Sequence, residues 1–105
     1  MTPKDHEIAK RFKERLSAVV QLLDMRVFGS RARGDVDEYS DMDVFIEVET
    51  VNKELEDRIY DIAWEVGLEY SVFISPLVFS RYEIEESPLR ASPIVRNIEA
   101  EGLRV

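Results

Sequence analysis

At 105 residues, 45% apolar and 34% charged, the chain suits a single soluble domain over residues 1–105, with no room for a second core. Four glycines and four prolines exclude a collagen-like or disordered chain, and no apolar run exceeds three residues, which excludes a bilayer span. There is no cysteine and one histidine, His6, so disulfides, thiolate metal sites, iron–sulfur clusters, a Cys nucleophile and a Ser-His-Asp triad fall away, while a net charge of −8 argues against a duplex nucleic-acid binder.

The first element is a helix from Pro3 to about Leu23, opened by Thr2 as N-cap and Pro3 at the first helical position. Its apolar stripe is Ile8, Phe12, Leu16, Val19, Val20 and Leu23. The opening segment lacks the apolar core of a secretory signal, so a cytoplasmic protein is expected. A short strand follows, Met25 to Phe28, ended by Gly29-Ser30. After a polar turn region from Arg31 to Ser40, alternation predicts a strand over Asp41 to Val48. Met42, Val44, Ile46 and Val48 share one face of it; Asp41, Asp43, Phe45 and Glu47 share the other. A helix over Val51 to Val66 carries Leu55, Ile59, Ile62, Ala63 and Val66, with Gly67 read as its stop.

Glu69 to Ile74 is expected to be a third strand, with Pro76 bending or ending it or placing it at a sheet edge. The string Ser80-Arg81-Tyr82-Glu83 matches a capping box for a short helix, and Ser92-Pro93 opens a last helix, Ile94 to Glu101, stopped by Gly102. The fold class is therefore α/β (α+β): a small three-stranded mixed sheet with helices packed on one face. The opposite, polar face is expected to hold Asp41, Asp43, Glu69 and Ser71, and a site would lie there.

Charge is concentrated around that site. Between Gly29 and Glu49 lie Asp35, Asp37, Glu38, Asp41, Asp43, Glu47 and Glu49 against Arg31 and Arg33. Asp41 and Asp43, at i and i+2 of a strand, project from one face with Cα atoms roughly 6.6 Å apart. Two such carboxylates repel, and a divalent cation relieves the repulsion; Mg²⁺ takes one or two carboxylates together with water and substrate phosphates. Upstream, Gly29-Ser30 sits at a strand end where glycine admits a phosphate and the serine adds a donor, with Arg31 and Arg33 alongside. A phosphate cradle followed by a carboxylate pair is what a metal-bound nucleoside triphosphate requires.

These strings, Phe28-Gly29-Ser30-Arg31-Ala32-Arg33-Gly34-Asp35 and Ser40-Asp41-Met42-Asp43-Val44-Phe45-Ile46, resemble the signature of the minimal nucleotidyltransferase (MNT) family, a branch of the DNA-polymerase-β-like nucleotidyltransferases. The signature covers residues 28–46, and the element order agrees over about residues 5–75. The resemblance implies a polymerase-β-like fold and an enzyme that moves AMP from ATP onto a hydroxyl with two Mg²⁺ ions. It implies that Gly29 and Ser30 hold the triphosphate and that Asp41 and Asp43 are the catalytic metal ligands. The family's third carboxylate, on the next strand, falls at Ser71 here, and Glu69 on the same expected face is the candidate replacement ligand.

The resemblance further implies a HEPN-domain ribonuclease as partner, whose tyrosine is the acceptor, in a toxin–antitoxin pair with this chain as antitoxin. A catalytically weak or inactive antitoxin that neutralises its partner by binding is the alternative, and Ser71 favours it. The C-terminal apolar residues Leu89, Ile94, Val95, Ile98, Leu103 and Val105 either close the core or form a partner surface, which leaves a homo-oligomer open.

Overall fold

Thr2 opens helix α1 (Pro3–Ser17) with a full capping box: its hydroxyl accepts from the Asp5 backbone N–H at 3.0 Å, and the Asp5 carboxylate accepts from the Thr2 N–H at 3.1 Å. This computed structural model describes residues 1–35 and 39–105; Asp37 and Glu38 of the acidic stretch lie outside the described residues. The helix ends six residues earlier than its spacing predicts. The Val19 and Val20 amides both fold back onto the Leu16 carbonyl, and Leu22 begins strand β1 (Leu22–Phe28). A β-branched pair resists another helical turn, and the ladder to the neighbouring strand, with Leu22 opposite Val48, claims the residues that follow.

Helix α2 (Ser30–Arg33) is a single turn between Gly29 and Gly34, both with positive φ. Strand β2 (Met42–Val48) runs antiparallel to β1. Helix α3 (Lys53–Tyr70) then continues through Gly67, which is not its stop. A Cβ at Gly67 would collide with the Val72 carbonyl oxygen. The glycine is there to let the returning chain pass against the helix. Ser71 caps α3 in the left-handed conformation (φ 57°), the one non-glycine residue with positive φ among the described residues.

The expected strand over Glu69 to Ile74 is therefore the end of α3 and a turn. Strand β3 begins at Ile74 and runs through Pro76 to Ser80. It pairs in parallel with β2, and the Met42 N–H donates to the Phe73 carbonyl at 2.8 Å. That pattern turns the alternate residue, Pro76, toward the free edge, where a missing N–H costs nothing. Helix α4 (Arg81–Glu85) opens with the Ser80–Glu83 capping box, a 3₁₀ turn covers Pro88–Ala91, and α5 (Pro93–Glu101) opens on Ser92.

The sheet is mixed, as expected, but has four strands in the order β3-β2-β1-β4, because β4 (Leu103–Arg104) adds beside β1. Its two faces bury different sets of residues. Met25, Val27, Met42, Val44, Ile46 and Val48 pack against Ile8, Phe12 and Leu16 of α1 and Ile59, Ile62 and Val66 of α3. The other face is not left open along its length: Phe45 and Phe79 are buried with Val95 and Ile98 of α5. Helices thus cover both faces, and the second is uncovered only at the end of β2 that carries Asp43. No described helix is long and apolar enough to cross a membrane.

Candidate active site

The uncovered end of the sheet brings the glycine turn and the carboxylate pair together. Asp43 lies between Phe28 of β1 and Ser75 of β3 in the sheet register. Gly29 follows Phe28 directly and takes φ 76°, ψ −154°, a conformation reserved in practice for glycine. A Cβ there would stand 2.5 Å from Asp43 Oδ2. Only a residue without a side chain lets the backbone turn this close to the carboxylate, and the next residue, Ser30, starts α2 from that turn.

Asp41, expected to open the strand, is the exposed residue just before β2, and Asp43 inside the strand is half-buried. Burial pushes the Asp43 carboxyl above its ordinary range, the Asp41 charge adds to the effect, and Arg33 opposes it. Arg33 is half-exposed, with Nε 3.0 Å from Asp35 Oδ2 and Nη1 3.9 Å from Glu101. A partly dry pair of like charges is a donor set that suits one divalent cation shared with phosphate oxygens. Among the described residues no group of three or more His, Cys, Asp or Glu is gathered for a metal.

Two expected site residues sit elsewhere. Glu69 is on the last turn of α3, where its carboxylate is 3.6 Å from Arg11 of α1, on the opposite face of the sheet from Asp43. It does not face the aspartates, because α3 runs on through Gly67. Ser71, expected on that face as well, is the helix cap. The residue that the register sets opposite Asp43 is Ser75. Missing it followed from starting the third strand five residues early; the apolar run Leu77 to Phe79 was the available signal.

Arg31, expected beside the phosphates, has its guanidinium hydrogen-bonded to Ser40 and Asp5. Nε and Nη2 donate to the Ser40 carbonyl at 2.9 and 2.7 Å, and Nη1 donates to Asp5 Oδ1 at 2.6 Å. Both side chains are nearly buried. Burial raises the Asp5 pKa, but the hydrogen bonds from Thr2 and from Arg31 outweigh it and hold the carboxyl below its ordinary range. Thr2 as N-cap was legible in the sequence; the return bond of Asp5 and its link to Arg31 were not.

Two cavities flank this region. One, of about 510 Å³, is lined by Thr2, Asp5, Arg31, Gly34, Asp35 and Ser71. The other, of about 530 Å³, is an apolar groove between α3 and β3, lined by the exposed Tyr60, Trp64, Leu68 and Phe73 and reaching Ser75.

The chain belongs to the nucleotidyltransferase domain family, whose model matches residues 6–104. It is 40% identical over 78 residues to a Methanocaldococcus jannaschii protein named as a candidate protein adenylyltransferase, which covers 71% of this chain and 79% of that one. Among solved structures, a toxin–antitoxin structure with AMP-PNP superposes with a TM-score of 0.62 at 16% identity, covering 95% of this chain and 70% of the other. A candidate nucleotidyltransferase from Sulfolobus solfataricus gives a TM-score of 0.55 at 16% identity, over 96% of this chain and 78% of that one. These two likenesses bear on the fold, which is that of the nucleotidyltransferases.

Proposed function

We propose that this chain transfers AMP from ATP to a hydroxyl of a protein acceptor, a tyrosine of a HEPN-domain ribonuclease toxin, and so acts as an antitoxin. The observation that carries the reading is the contact of the Gly29 turn with Asp43, which joins a phosphate-accessible backbone to a paired carboxylate. The family membership supports nucleotidyl transfer, and the relative's name supports a protein acceptor.

In this reading Gly29 and Ser30 receive the triphosphate, Ser30 through its hydroxyl and the amides that follow the turn. Arg33 faces the developing phosphate charge. Asp41 and Asp43 would hold Mg²⁺, which supplies Lewis-acid polarisation of a phosphoryl oxygen when bound. The acceptor oxygen bonds to the α-phosphorus, the bond from that phosphorus to the bridging oxygen breaks, and pyrophosphate leaves with the electron pair. The acceptor proton passes to water, because Ser75 offers no carboxylate opposite Asp43.

That same serine favours a second reading: a binding-only antitoxin that keeps the fold and neutralises its partner by contact. The exposed apolar groove of Trp64, Leu68 and Phe73 is the kind of surface such contact uses. Incubation with α-labelled ATP, Mg²⁺ and the HEPN protein separates the two. Label on the partner tyrosine is expected. Stable complex formation without label selects the binding-only reading, and failure to bind both ATP and the partner overturns both.

A further inference from the structure

We propose that Arg31 and Asp5 act together as positioning residues that hold Asp41 in place against the Gly29–Ser30 cradle. The inference rests on the nucleotidyltransferase reading for its functional consequence, and on geometry alone for the positioning itself.

The chain leaves the cradle through α2 and returns to β2 at Ser40-Asp41. The ladder already fixes Asp43 beside the cradle, since it is paired with Phe28, but Asp41 lies just before β2 and outside that pairing. Arg31 ties this residue back. From the residue after Ser30 its side chain spans to the carbonyl immediately before Asp41, with two N–H groups on the one oxygen. The third contact, to Asp5, anchors the guanidinium to the first turn of α1, 26 residues away in sequence. Asp5 is itself held by the Thr2 amide. The connection therefore runs from the α1 terminus through Asp5 and Arg31 to the peptide that carries Asp41.

Arginine suits this role because a rigid planar fork can serve two acceptors in fixed directions, whereas a lysine ammonium is a point charge on a flexible stem. Asp5 suits it because a buried guanidinium needs a counter-charge. A displacement of about 1 Å between cradle and carboxylates is enough to cost ~10²-fold in rate.

The test uses the full chain with Arg31→Lys, Asp5→Asn, the double variant and Asn52→Ala. Assays run at a temperature where circular dichroism shows each variant folded. Arg31→Lys and Asp5→Asn should each lower kcat for AMP transfer at least tenfold, with a smaller change in KM for Mg·ATP. The double variant should be no worse than the worse single one, because the two act as a unit. Asn52→Ala removes the side-chain cap of α3 and touches neither Asp5 nor Arg31, so it should lower the melting temperature and leave kcat unchanged. A raised KM for Arg31→Lys with Asp5→Asn silent would assign Arg31 to the phosphates and overturn the proposal.

Amide exchange reads the geometry without nucleotide. The Met42 N–H, bonded to Phe73, should exchange at least tenfold faster in both single variants, while the amide of Ile46 in mid-strand keeps its protection. Unchanged Met42 exchange in both overturns the positioning role even if transfer is seen. Faster exchange together with an inactive, non-binding wild type would instead overturn the nucleotidyltransferase reading and leave the positioning intact.

Discussion

Asp43 carries the clearest energetic signature of any residue in the site. Its carboxyl is pushed up by burial first and by Asp41 second. A carboxylate whose folded pKa lies above its unfolded one weakens the fold once pH rises past the ordinary carboxylate range, because the unfolded chain then releases its proton more readily. Asp43→Asn should therefore equal the wild type in melting temperature at low pH and match or exceed it at neutral pH, while Mg²⁺-dependent ATP binding is lost. Thermal melts across pH and a titration of Mg·ATP check both halves, and unfolding of the variant would make the pair structural. Ser75 offers the complementary experiment. A carboxylate placed opposite Asp43 could take the acceptor proton, a contribution of roughly 10²–10⁴-fold. Ser75→Asp should raise AMP transfer, whereas Ser71→Asp and Glu69→Gln, at the helix cap and on the far face, should leave it unchanged. A gain at Ser71 instead would place the third strand where periodicity alone puts it.

Helix α3 shows how one glycine can be read in two ways. If Gly67 only ended the helix, alanine there would be neutral or would favour the helix by about 1 kcal/mol. The structure has the helix continuing to Tyr70, with the Gly67 Cα packed under the Val72 carbonyl. Gly67→Ala should therefore destabilise by about 1–3 kcal/mol, the cost of forcing volume into a packed contact. Chemical denaturation settles the sign. The same element explains why Glu69 and Ser71 left the site. A helix extended by four residues moves Glu69 from a strand beside Asp43 to a helix paired with Arg11. Three helix starts were legible, since Thr2, Ser80 and Ser92 all accept N-cap hydrogen bonds, whereas α3 opens at Lys53 on the Asn52 cap rather than at Val51.

Across the whole molecule, the sheet's second face divides into a covered half and an open half. Phe45 and Phe79 stack with centroids 5.7 Å apart beneath α5, while Asp43 faces outward one residue pair away. At the covered end lies Glu47, buried at 9% exposure and set opposite Asp24 in the register. Burial raises its pKa, Glu85 of α4 and Asp24 raise it further, and Arg81 and Arg26 oppose them. Arg26 and Arg104 both serve Asp24 instead. Glu47→Gln should then stabilise the fold at neutral pH. The gain should shrink as pH falls through the elevated Glu47 pKa and vanish below the unfolded carboxylate range, where both forms are neutral. Melts between pH 3 and pH 8 would show it, and a variant less stable at neutral pH would mean that the carboxylate has a favourable role in the assembled fold.

By itself the sequence determined the features that depend on neighbours a few residues away. Capping boxes close through i to i+3 hydrogen bonds, and strand alternation sends Met42, Val44, Ile46 and Val48 to one face and Phe45 to the other whatever the partners are. The Gly29-Ser30 turn and the Asp-x-Asp strand belong to this class, and they were enough to identify the family. Only the tertiary structure decided what depends on the path of the chain. Where α3 ends is set by packing of Val72 on Gly67, the strand register that follows places Ser75 rather than Ser71 opposite Asp43, and Arg31 finds its counter-charge in Asp5 across 26 residues. The fourth strand and the covering of Phe45 by α5 arise likewise from contacts between distant segments, which no local pattern encodes.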